Sequence, residues 1–225
     1  MVPIVSIIGC KNSGKTTLIE GVVMELKRRG YRIGTIKHHT HGIKPEDVDC
    51  EGKDTYRHRK AGADAVVLSG PNKLMLVKEL NQPLGIDEVR KAYLNEFDLI
   101  LTEGYKTEDK PKIEVFRQEV GGSEGLLCTQ EKNNLVAVVS NRKFELGIPC
   151  FGLDDYIGIA DFLEKEFISK RQDGDIELVV DQKDIYLKGF AAGFLKKAIL
   201  GMISSLHDVP EKPQEVEIRI KEKGN

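Results

Sequence analysis

Tryptophan is absent, aromatic residues make up only 6% of the chain, and neither sign of charge dominates. The 34 basic and 36 acidic residues are interspersed and leave a formal net charge of −2. There is no cationic surplus to neutralise a phosphate backbone, so nucleic-acid binding is not expected. The four cysteines, Cys10, Cys50, Cys128 and Cys150, include no C-x-x-C pair. That spacing argues against a paired-cysteine zinc site or a disulfide framework and favours isolated reduced thiols. Long apolar runs are also missing. Residues 2–8 form a short one, without the length of a membrane span or the basic start and cleavage pattern of a signal peptide. A cytoplasmic location is the expectation.

What is present is a chain of 225 residues with 40% apolar content, enough for one medium α/β domain and a small addition. Through residue 169, apolar runs alternate with amphipathic stretches. Residues 5–8, 31–37, 65–68, 74–77, 98–102, 112–116 and 135–139 read as strands. Helical spacing of Leu18, Ile19, Val22, Val23 and Leu26 closes at Gly30. Further helices are predicted from Asp54 to Lys60, over 86–97 and over 156–167. Strands alternating with helices imply a mostly parallel sheet flanked by helices. The polar segment 170–174 marks a boundary between a nucleotide-binding domain, 1–170, and a small α+β C-terminal extension, 175–225. In the latter, a hairpin, a helix carrying Phe190, Phe194, Ile199 and Met202, and a last strand over 216–220 are expected. A unit of about 50 residues is marginally stable alone. It is expected to dock on another surface or to dimerise.

Gly9-Cys10-Lys11-Asn12-Ser13-Gly14-Lys15-Thr16 matches G-x-x-x-x-G-K-[ST] between a predicted buried strand and a predicted helix. This is the signature of a P-loop NTPase. Gly9 permits a tight turn and Gly14 a close approach of backbone to phosphate. Successive N–H groups and the helix start form an anion-binding nest. The nucleotide contacts are assigned to Gly9, Lys11, Asn12, Ser13, Gly14, Lys15, Thr16 and Thr17. Lys15 reaches the β/γ-phosphates and serves catalysis, and Thr16 offers its hydroxyl to Mg²⁺. Glu103, at the end of a fully apolar strand and before Gly104, is the predicted acidic partner for the metal and for hydrolysis. Asp49, with Asp47 as its alternative, is a candidate to complete the metal shell. His38, His39 and His41 lie within four residues and suit a metal, an anion or a plain polar loop. No N-K-x-D guanine signature is present. Asn141 ends a strand where it would lie, and Asp154 or Asp155 are alternatives for accepting from guanine.

Five blocks in order carry a family resemblance. They are the P-loop, Ile36-Lys37-His38 with His41, Gly52-Lys53-Asp54-Thr55 with Ala61-Gly62-Ala63, Leu101-Thr102-Glu103-Gly104-Tyr105-Lys106, and Lys112-Ile113-Glu114-Val115-Phe116-Arg117. Over residues 3–167 the chain resembles the MobB family of molybdopterin-guanine dinucleotide synthesis. The resemblance implies GTP with Mg²⁺ as ligand, weak GTPase activity, a homodimer, and partnership with MobA, the guanylyltransferase that joins GMP to molybdopterin. Molybdopterin, which carries a phosphate, is a further implied ligand. Lys37, His38, Lys106 and Arg117 are cationic groups suited to receive that phosphate beside the nucleotide. A small-molecule kinase and a metal-insertion GTPase for another metalloenzyme are the competing readings. The C-terminal extension departs from the shorter bacterial members of the family.

Overall fold

The computed structural model describes residues 1–39, 49–121, 125–128, 134–170, 176, 178–180, 183–185, 187, 189–210, 213, 216–218 and 220. The chain divides into two compact units, Val2–Arg171 and, together with Met1, Gln172–Asn225.

In the larger unit, β1 (Ile4–Ile8) leads through the P-loop into α1 (Lys15–Arg28), then β2 (Ile33–Lys37) and α2 (Asp54–Lys60). A hairpin of β3 (Ala65–Ser69) and β4 (Leu74–Lys78) follows, then α3 (Ile86–Tyr93), β5 (Leu99–Glu103) and β6 (Lys112–Phe116). The unit closes with a one-turn α4 (Gln118–Gly121), β7 (Leu135–Ser140), a short β8 (Cys150–Phe151) and α5 (Tyr156–Leu163). Six strands form one sheet in the order β2-β5-β1-β6-β7-β8. Every neighbouring pair in it is parallel. β3 and β4 stay outside it as a separate antiparallel pair.

The main core lies where α1 and α5 cover one sheet face. Leu18, Val22 and Leu26 meet Val5, Ile7, Leu101, Val115 and Val139, all buried. The opposite face is different. Between two apolar clusters, one on Ile4 and Ile100 and one on Ile8 and Val138, it carries buried Ser6, Thr102, Lys112 and Glu114. These polar groups are satisfied locally. The Thr102 hydroxyl donates to Ser6 Oγ at 3.0 Å, and Lys112 Nζ donates to the carbonyls of Glu108 and Lys110. Glu114 accepts from the N–H groups of Leu127 and Cys128 at 2.7 and 3.0 Å. Irregular segments cover this face and bring backbone groups that need partners; buried charged side chains supply them.

Two predicted helix ends move, and one predicted strand does not form among its described residues. The helix expected over 86–97 stops at Tyr93 because Asn95 Nδ2 turns back to the Lys91 carbonyl at 3.2 Å. The helix expected over 156–167 is α-helical only to Leu163 and continues as a π turn, Glu164–Ile168, closed by Ser169 N–H to the Glu164 carbonyl. In the C-terminal unit, β9 (Leu178–Val180) and β10 (Lys183–Ile185) form the expected hairpin and α6 (Gly189–Ile203) the expected helix. The strand expected over 216–220 is not formed by its described residues 216–218 and 220, which are exposed. Apolar alternation there meets no partner strand among the described residues, and alternation without a ladder does not make a strand.

Candidate functional site

Two adjacent strands send their connections in opposite directions. β1 feeds α1 towards β2, and β6 feeds α4 towards β7. That reversal opens a crevice at the carboxyl ends of β1 and β6, and the P-loop occupies it. Gly9, at φ 147°, is pressed against β6, so that a Cβ there would lie 2.3 Å from the Val115 carbonyl oxygen. Asn12 and Gly14 take left-handed backbone at φ 63° and 100°. No side chain caps the first turn of α1 and no acidic residue lies in it. Its free N–H groups therefore keep their positive potential for an anion.

Lys15 Nζ donates to the Cys10 carbonyl at 2.7 Å, folded back over the loop. Burial pushes the Lys15 ammonium below its ordinary value; Lys106 and Lys37 act in the same direction, and Glu103 opposes them. Thr16 Oγ1 donates to Glu103 Oε2 at 3.0 Å. Lys37 Nζ stands 3.9 Å from the same oxygen. Glu103 thus sits at the carboxyl end of β5, facing the hydroxyl that opens α1. Two buried polar atoms at the loop have no hydrogen-bond partner, the Ser13 hydroxyl and Arg117 Nε. Ser13 is only 1% exposed. An anionic group fits this arrangement, since the donors are there and the protein leaves them unused. Thr16 and Glu103 are the oxygen donors suited to a hard divalent cation beside it.

The remaining candidates separate into groups. Lys37 and His38 end β2, the His38 N–H donates to the Glu103 carbonyl, and the His38 ring stacks on Tyr105 with centroids 4.6 Å apart. Gly104 and Tyr105 both adopt positive φ, 102° and 58°, turning the chain so that Lys106 follows. Lys37 and His38 therefore share the β2–β5 side, whereas the charge of Lys106 acts on Lys15, Glu114 and Cys128, towards β1 and β6. Arg117 does not join Lys37 and His38. It follows β6, across β1, two strand spacings from β5 and three from β2, roughly 10 to 14 Å at about 4.8 Å per strand. Lys11, Asn12, Thr16 and Thr17 are exposed along the loop and the first turn of α1.

Asp49 is buried, and its carboxylate accepts from Thr55 Oγ1 at 3.1 Å and from the Cys50 N–H. These contacts organise the approach to α2 rather than the Thr16–Glu103 pair. His41 and Asp47 lie outside the described residues. Among the described residues no three His, Cys, Asp or Glu side chains converge as a metal group. Asn141 is held by its surroundings: Oδ1 accepts from Gln118 N–H, and Nδ2 donates to both Glu119 oxygens at 2.9 and 3.0 Å. Asp155 caps α5 through Gly158 N–H, and Asp154 accepts from the Tyr156 hydroxyl at 3.4 Å. Sequence reasoning missed the unpartnered state of Ser13 and Arg117, the His38–Tyr105 stack and the buried Glu114. Only the Gly104 turn signal pointed towards the stack.

The family model of MobB, described as molybdopterin guanine dinucleotide synthesis protein B, matches residues 4–141. A probable molybdopterin-guanine dinucleotide biosynthesis adapter protein of Bacillus subtilis is 34% identical over 164 residues, 70% of this chain and 89% of that protein. A putative adapter protein of the same name from Methanocaldococcus jannaschii is 26% identical over 237 residues, and the match covers 96% of this chain and 97% of that one. That relative therefore shares the C-terminal extension. The crystal structure of a MobB protein homologue from Bacillus stearothermophilus, 30% identical, aligns with a TM-score of 0.54 over 75% of this chain and 99% of its own. With its P-loop at the β1–β6 crevice and Glu103 facing Thr16, this chain belongs to the MobB family.

Proposed function

We propose that this chain is a GTP-binding adapter of molybdenum cofactor biosynthesis, acting where the guanine dinucleotide is built onto molybdopterin. The observation that carries the nucleotide reading is the Thr16–Glu103 contact at 3.0 Å beside a P-loop whose Ser13 hydroxyl has no partner. In this reading the loop N–H groups and Lys15 hold the triphosphate. Lys15 leaves the Cys10 carbonyl to do so. Thr16 and Glu103 would hold Mg²⁺, which would neutralise phosphate charge there. Slow GTP hydrolysis belongs to this reading through the family resemblance. Lys37 and His38 offer a cationic edge next to the nucleotide for the phosphate of molybdopterin. The protein works as a cytoplasmic homodimer and hands its ligand to a MobA-type guanylyltransferase. The adapter names of the relatives support this reading over a small-molecule kinase or a metal-insertion GTPase.

The test is calorimetric titration of the purified chain with GTP and ATP, with and without Mg²⁺. GTP should bind more tightly than ATP. Lys15→Ala should weaken GTP by more than about tenfold, the loss of one charge-assisted contact, with an unchanged melting temperature. Equal affinity for the two nucleotides would reject the guanine preference, and an unaffected Lys15 variant would reject the site.

A further inference from the structure

We propose that Arg117 is a phosphate ligand of the nucleotide held in this chain's own P-loop, and not part of a separate anion site on the β2–β5 side. The inference rests on the nucleotide reading above and assigns a residue to it. Its starting point is strand order. β6 lies directly beside β1, in register at Ser6–Lys112, Ile7–Ile113 and Ile8–Glu114. The residues that follow the two strands, the P-loop and Arg117, therefore emerge side by side. The guanidinium reaches the loop, with Nη2 3.6 Å from where a Cβ on Gly14 would stand.

The second observation is what the guanidinium does not do. Nε is buried and has no hydrogen-bond partner. The carboxylate whose charge is felt beside it, Glu119, is engaged with the Asn141 amide at 2.9 and 3.0 Å; its own backbone N–H and that amide hold it below its ordinary range, with Arg117 adding a smaller effect. A guanidinium cannot shed its proton to escape burial. A buried, unused N–H on a permanent cation is costly unless an anion completes it. Ser13, next to Gly14 and 1% exposed, also holds a hydroxyl without a partner. The Arg117 side chain reaches Gly14 at the start of α1 and carries a donor that needs an acceptor, whereas the Ser13 hydroxyl lies under the loop, 2.7 Å from where a Cβ on Gly9 would stand.

The chemistry that answers the guanidinium is a phosphate chain. The planar fork of arginine presents parallel N–H groups that match two phosphate oxygens, which an ammonium cannot do. Lys15 and Arg117 then bracket the polyphosphate, one from α1 and one from β6. The cationic edge of Lys37 and His38 is left to a second anion.

Pyrophosphate, GDP and GTP titrated into the full-length protein test this without relying on turnover. Arg117→Met keeps the length of the side chain and removes the charge, and Arg117→Lys keeps the charge and removes the fork. The methionine variant should weaken all three ligands by more than about tenfold, and the lysine variant should recover only part of that loss. Neither should lower the unliganded melting temperature by more than a degree or two. If wild type binds pyrophosphate and GTP and Arg117→Met binds them equally well, the assignment is overturned while the nucleotide reading stands. Loss of melting temperature with unchanged affinity per folded molecule would also overturn it, as a packing role. If wild type itself binds none of the three, the nucleotide reading fails first.

Discussion

The Thr16 hydroxyl and the Glu103 carboxylate meet at 3.0 Å across 87 residues of chain. The pairing of β1 with β5 makes this possible: Ile7 stands opposite Glu103 in the parallel register, which sets the carboxylate beside the loop that follows β1. Both oxygens suit Mg²⁺ better than they suit each other, since a hydroxyl–carboxylate contact in solvent is a weak bond. Glu103→Gln keeps the size and removes the charge. GTP affinity in the presence of Mg²⁺ should fall by about tenfold, affinity in EDTA should change little, and the rate of hydrolysis should fall further than either. An equal loss with and without metal would show that the carboxylate supports the loop rather than the cation.

The P-loop, Glu103 and the alternation of strands and helices were legible because each is written locally. A glycine pattern, a strand ending in an acid, and the switch between periods 2 and 3.6 need only neighbours in sequence. Residues 112–116 were legible as a strand for the same reason. What Lys112 and Glu114 do inside it was not. Lys112 bonds to carbonyls two and four residues before it, in a loop whose fold over the strand no periodicity encodes, and Glu114 to N–H groups 13 and 14 residues later. Asp49 and Asn141 illustrate the same limit at the site. Position at a strand end or in a facing loop suggested ligand contact, but neighbours supply Thr55 to one and Glu119 to the other. The unpartnered Arg117 is the reverse case, a residue whose significance lies in what the fold withholds from it.

Gly21 lies in the middle of α1, where helix propensity alone favours alanine by about 1 kcal/mol. A Cβ there would stand 2.5 Å from Cδ1 and Cε1 of the Tyr156 ring, and 2.7 Å from Cγ, too near the base of the side chain for easy relief. Gly21→Ala should therefore destabilise the protein by about 1–3 kcal/mol. In a Tyr156→Ala background the same change should turn neutral or stabilising. Urea unfolding of the two single variants and the double variant reads the coupling. Additive effects would show that α1 and α5 do not touch at this pair.

Arg29, at the carboxyl end of α1, donates Nε to Glu25 and Nη1 to Glu164, both at 2.8 Å, and the Tyr31 hydroxyl donates to Glu164 at 2.6 Å. The hydrogen bonds from Arg28 and Arg29 hold the Glu25 carboxyl at about 2, against an ordinary value of 4.5. Those from Tyr31 and Arg29 hold Glu164 below its ordinary range. A depressed carboxyl contributes stability that is fully present above its unfolded value and is lost as pH falls through its folded value. Stability should therefore decline from about pH 4.5 towards 2. Arg29→Met should flatten that decline, because Glu25 and Glu164 then titrate closer to their unfolded values. Denaturant midpoints at pH 7, 4.5 and 3 for both proteins measure it, and parallel curves would refute the seam as the source.

Residues 172–225 form their own compact unit, and α6 within it exposes Phe190, Phe194 and Met202 at 88%, 65% and 63%. Phe190 and Phe194 stack on each other with centroids 6.5 Å apart, presenting one apolar surface. A unit of this size buries too little to be stable by a wide margin, and a solvent-facing aromatic pair adds nothing to its own core. The Bacillus subtilis relative aligns over 164 residues that make up 89% of its length, so the larger unit has a counterpart in a chain with little room for the smaller one. The P-loop, Glu103 and Arg117 all belong to the larger unit. A chain ending at Arg171 should therefore remain folded and bind GTP within about threefold of the full-length protein. Its mass by light scattering, or its capture of a guanylyltransferase partner, should drop if the extension is a docking or dimerisation module. Phe190→Ser with Phe194→Ser in the full-length chain should reproduce that drop while leaving nucleotide binding untouched. A folded, truncated protein that no longer binds GTP would instead make the extension part of the nucleotide pocket.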